Sequence, residues 1–98
     1  MYVLSLDTTD IVDNSNKLVL SANNKRRAVS FSNPSNSILW LCKGTPAIAG
    51  QGILLNAQGG NYSDERDADG SIYTGIYSAI AVTTGSNVLA CQEDSFEN

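Results

Sequence analysis

Between Asn33 and Ala81, short apolar runs are cut every few residues by Gly, Pro, Asn and Ser. That spacing constrains the fold more than any other feature of the chain. Glycine and proline break a helix interior, and no window of eleven residues carries a helical apolar stripe. Only Ala47–Ala49 has room for a single helical turn, between Pro46 and Gly50. The chain is therefore expected to be built from short strands joined by turns.

The strands can be placed. Lys17–Ser21 reads as one, ending at the turn-forming Ala22-Asn23-Asn24. Arg27–Asn33 alternates, with Val29 and Phe31 on one face and Ser30 and Ser32 on the other, the signature of a half-buried strand. Asn33-Pro34-Ser35-Asn36 is a turn. Ser37–Lys43 is apolar on both faces and is expected to be the most buried strand, with Trp40 as a core anchor beside Phe31 and Ile80. Short strands follow at Ile53–Leu55 and Asn61–Ser63. Ile72–Thr83 reads as one long strand or two joined at Gly75, and Gly85-Ser86-Asn87 as a hairpin turn into Val88–Gln92.

About seven or eight strands result, with turn signals every 6 to 12 residues. The fold class is all-β: a small antiparallel β-sandwich or jelly-roll-like barrel with a short N-terminal arm. The organisation read from the sequence is an arm over residues 1–16, a β-sandwich domain over 17–92 and an acidic C-terminal tail over 93–98. At 98 residues this is one domain with a thin stability margin, to which contacts between copies would add.

Chemistry is poorly provided for. The chain has no histidine, so its serines and threonines lack the usual base, and no catalytic motif is found. Gly50-Gln51-Gly52 lacks the third glycine and the helix of a dinucleotide loop. Cys42 and Cys91, with no CxxC, read as two buried free thiols. The loop Asp64–Gly70 partly resembles a calcium loop, but its closing acid is replaced by Ile76, so it reads as a solvated loop. The sequon Asn61-Tyr62-Ser63 reads as chance. The expectation is a protein that is not an enzyme and needs no cofactor or metal.

Charge is segregated. The net charge is −4, which argues against nucleic-acid binding. No apolar run is long enough for a membrane span, and MYVLSLDTTD lacks the basic start of a signal peptide. Residues 14–63 carry no acid, only Lys17, Lys25, Arg26, Arg27 and Lys43. The acids flank that stretch. An apolar start on an acidic arm suggests docking: Tyr2, Leu4 and Leu6 against a neighbouring chain, and Lys25, Arg26 and Arg27 as a site for acidic groups of a partner, although solvation alone would also account for these charges.

Several of the residues also fall in a familiar order. Asn33, the strand Ile38–Leu41, Gly44 with Pro46-Ala47, Gly50 with Gly52-Ile53, Tyr73-Thr74-Gly75, and Tyr77 with Ala79-Ile80 together resemble small β-rich virion proteins of tailed bacteriophages. The resemblance covers about residues 27–92. It departs at Gln58-Gly59-Gly60, where Pro-Gly is usual, and in the long acidic loop that follows. It implies a capsid decoration or cement protein, bound to the major capsid protein of a phage shell as a homo-oligomer, dimer or trimer. The location implied is the capsid surface of the virion, after assembly in the host cytoplasm. The alternative is a tail- or fibre-associated module that binds a receptor or carbohydrate through Tyr62, Tyr73 or Tyr77.

Overall fold

The computed structural model describes residues 3–96. Eight strands form: β1 (Val3–Val12), β2 (Lys17–Leu20), β3 (Arg26–Asn33), β4 (Leu39–Lys43), β5 (Ile53–Leu55), β6 (Gly60–Glu65), β7 (Tyr77–Ala81) and β8 (Asn87–Phe96). They make two four-stranded antiparallel sheets, A in the order β1-β8-β3-β6 and B in the order β2-β7-β4-β5.

The topology follows a single rule. β1 pairs β8, β2 pairs β7, β3 pairs β6 and β4 pairs β5. The chain is thus one long hairpin with its tip between β4 and β5, rolled so that successive pairs alternate between two sheets. Bonds from β8 to β3 and from β7 to β4 complete the sheets. This is a jelly-roll sandwich, as the turn-rich sequence predicts.

Period-2 alternation builds the core. Val29, Phe31, Leu89 and Cys91 from sheet A meet Leu39, Leu41, Leu55, Tyr77, Ala79 and Ala81 from sheet B, all buried. Phe31 and Tyr77 join the sheets, their ring centroids 4.9 Å apart. Asn33, fully buried at the end of β3, donates through Nδ2 to the carbonyls of Ser37, Leu55 and Asn56, and its Oδ1 accepts from Ser35. One amide thereby ties the end of β3 to the end of β5.

Several expectations are corrected. The N-terminal segment is not an arm: Val3–Val12 is an edge strand, paired residue for residue with Asn87–Phe96 of its own chain. Nor does the C-terminal segment leave the sheet, because β8 continues through Glu93 and Asp94 to Phe96. Residues 72–76 are not strand. Their carbonyls at Tyr73 and Gly75 are taken by Arg26, and Tyr73 bonds the carbonyl of Ile76. Gly75 lies under the Tyr73 ring, where a Cβ would collide. Gly85-Ser86 does not close a hairpin; it belongs to a crossover from sheet B to sheet A. Finally, β4 is buried on one face only. Leu39 and Leu41 point inward, while Trp40 is half-buried on the outer face. It does lie directly across from Ile80, but outside the core.

Candidate interaction surfaces

The basic cluster is not a free docking site. Arg26 is fully buried, and its Nε donates to Glu93 Oε2 at 2.7 Å. Its Nη1 donates to the carbonyls of Tyr73 and Gly75, and its Nη2 to that of Ser21. The guanidinium also stacks 5.3 Å from the Tyr77 ring centroid. A charge with that many partners is a structural clamp. The register shift between Arg26 and Ala28 lets Arg27 turn outward, 3.8 Å from Asp94. Lys25 is exposed. The acids that meet Arg26 and Arg27 are Glu93 and Asp94 of β8 in the same chain.

Leu4 and Leu6 are 51% and 59% exposed on β1, and Tyr2 lies outside the described residues. Leu6, Thr8 and Asp10 form one wall of a groove of about 590 Å³. Leu18 and Leu20 of β2 form the other, with Glu93 also lining it. This is the open side of the sandwich, between the edge strand of each sheet.

A surface that the sequence did not single out is the outer face of sheet B. Because Leu39, Leu41, Leu55, Ala79 and Ala81 point inward, their neighbours point out. Leu54, Trp40 and Ile80 fall in register as one row across β5, β4 and β7. Beside it, Ile38 and Val82 are exposed and joined by a backbone bond from Val82 N–H to Ile38 carbonyl. On the other side come Cys42, Ser78 and Leu18. Ser78 is buried and donates to the Gly44 carbonyl at 2.6 Å, while the Ala47 N–H is held by Asn16. No strand of sheet B contains an Asp or a Glu.

The tyrosines suggested for a ligand are committed elsewhere. Tyr77 is buried, with Tyr73 edge-on to it at 5.2 Å. Lys43 places its ammonium 5.7 Å from the ring centroids of both Tyr62 and Tyr73. In the acidic loop, Asp69 accepts from the Ser71 N–H and Asp67 from the Ser71 hydroxyl. Hydrogen bonds from Ser71 hold the Asp69 carboxyl below its usual range. Among the described residues, no group of three or more His, Cys, Asp or Glu is placed to hold a metal. Cys42 and Cys91 are free and lie in different sheets, and burial pushes the Cys91 thiol up to about 11.

The motif residues have structural roles. Asn33 is the buried hub, and Tyr73 and Gly75 shape the entry to β7. At Gly52, φ is +99° and a Cβ would come within 2.6 Å of the Leu41 carbonyl oxygen. No protein-family model matches the chain, and no curated protein matches it.

Proposed function

We propose that this protein is a structural accessory of a tailed-bacteriophage particle, a decoration or cement protein that binds the head shell as a homo-oligomer and performs no reaction. The observation that carries the reading is the outer face of sheet B, apolar and free of acids around a half-exposed Trp40. An apolar patch of this kind on a small domain marks a docking surface. The exposed Leu4 and Leu6 on β1 supply a second contact, to the major capsid protein. The jelly roll is an architecture of viral capsid domains and of lectins, an analogy of fold and not of site. Many weak contacts suffice for such a role, because copies on a lattice gain avidity.

A tail- or fibre-associated carbohydrate module is the second reading, favoured by the outward Trp40. Its neighbours count against it: Ile80, Leu54, Ile38 and Val82 offer none of the hydrogen-bonding groups that orient a sugar. Imaging purified particles with and without this protein tests the proposal. Extra density on the shell, at positions lost without the protein, is the expected result. Absence of the protein from purified particles, or a thermal shift with a glycan and no shell density, contradicts it.

A further inference from the structure

We propose that the outer face of sheet B is where two copies of this chain meet, back to back, as an isologous dimer. The proposal rests on the homo-oligomer reading above and names its surface.

Charge selects this face. Each copy carries a net −4, so two copies repel unless their acids are kept apart. The strands that hold acids are β1, β6 and β8, all in sheet A. Sheets stack about 10 Å apart, so a back-to-back pair separates the two A sheets by about 30 Å, roughly three Debye lengths at 0.1 M salt. Apposing the A faces would bring Asp7 and Asp94 of each copy together instead.

Self-complementarity selects the occupant. A two-fold interface lays one patch on itself. The row Leu54–Trp40–Ile80 has its aromatic in the middle and an aliphatic on either side. Whether the two-fold axis runs along the row or along the strands, apolar side chains meet apolar side chains. Size fits as well. Leu18, Ile38, Leu54 and Val82, with the exposed parts of Trp40 and Ile80, present about 400 Å² of apolar surface. In an interface a little over half apolar that corresponds to about 700 Å² per partner, within the range of specific complexes. The dimer leaves β1, with Leu4 and Leu6, free to reach a shell.

Sedimentation equilibrium of the purified full chain over a wide concentration range tests this. The expected result is a monomer–dimer equilibrium that Leu54→Lys weakens by about tenfold or more, with an unchanged circular dichroism spectrum. Val82→Lys, placed just after β7, does the same and guards against a folding defect in the first variant. Ser30→Lys on the outer face of sheet A leaves dimerisation intact. A monomer at every concentration, a dimer that neither Leu54→Lys nor Val82→Lys weakens, or open-ended polymers each overturn the proposal. Occupancy on particles separates this from the functional reading. A monomer that still decorates shells sinks the dimer alone, and a dimer absent from purified particles sinks the particle role alone.

Discussion

The two outer faces of the sandwich are built from the same strand geometry and differ in almost every other respect. On sheet A most outward residues are small and polar, with Ile11 exposed near the end of β1, and the outward acids Asp7 and Asp94 have partners in the chain. Ser5 donates to Asp94 at 2.6 Å, Gln92 to Asp7 at 2.9 Å, and Arg27 lies near Asp94. On sheet B the outward row is Leu54, Trp40 and Ile80, with no acid in any strand. A face that satisfies its own polar groups is content in water. A face that leaves a tryptophan and several aliphatics half out of the core is stabilised by being covered. Net charge therefore describes this molecule badly: every acid held in a strand lies in one sheet, and the outward apolar row lies in the other.

The largest expected effect tests whether the basic cluster is structural. Arg26→Met leaves Glu93 buried without its partner and three carbonyls without their donor, and should lower stability by about 3–5 kcal/mol in urea unfolding. A variant with parental stability would return Arg26 to the surface and undo the contrast between faces.

Next comes a paired measurement on the aromatics. Phe31→Ala, inside the core, should destabilise by about 3–5 kcal/mol. Trp40→Ala, on the outer face, should destabilise by roughly half of that or less, measured on dilute protein. Equal losses would mean that Trp40 packs like a core residue.

Alkaline pH gives a smaller effect with a definite sign. Burial raises the Cys91 thiol from 9.0 to about 11, so the folded state favours the protonated form. That contribution is fully present below pH 9 and is lost as pH rises from about 9 to 11, by an amount of order 2 kcal/mol. Burial shifts the Tyr77 phenol in the same direction. Unfolding free energies followed from pH 7 to 11 should be flat and then fall, and Cys91→Ala should flatten part of the fall. The smallest effect is that of salt. Contacts through sheet B should change little between low and moderate ionic strength, whereas any contact through Asp7 or Asp94 should weaken.

Much of the fold was legible because β-sandwiches announce themselves locally. The alternation Val29-Ser30-Phe31-Ser32 fixed the inner face of β3, and the turns marked where strands end. What was misread depended on distant partners. Val3–Val12 looks like an acidic arm with an apolar start because an edge strand on the rim of a sandwich buries little, and only its pairing with β8 makes it a strand. In Ile38–Cys42 both alternating sets are apolar, so the sequence does not say which set faces water. Arg26 hides in a Lys-Arg-Arg run, and the register shift at Arg27 breaks its phase with Val29. One signal was present: Leu89, Cys91 and Glu93 share a phase, which places an acid at an inward position and calls for a buried cation.

Trp40 is the only tryptophan, so its fluorescence reports the outer face of sheet B without labelling. Quenching by a neutral collisional quencher, measured on dilute protein and again on concentrated protein, tests most directly whether this face is a docking surface. Trp40 should be open to quencher when dilute, and shielded with blue-shifted emission when concentrated, with Leu54→Lys remaining open throughout. Emission that is already shielded in dilute protein, or that stays equally open at every concentration, would contradict it.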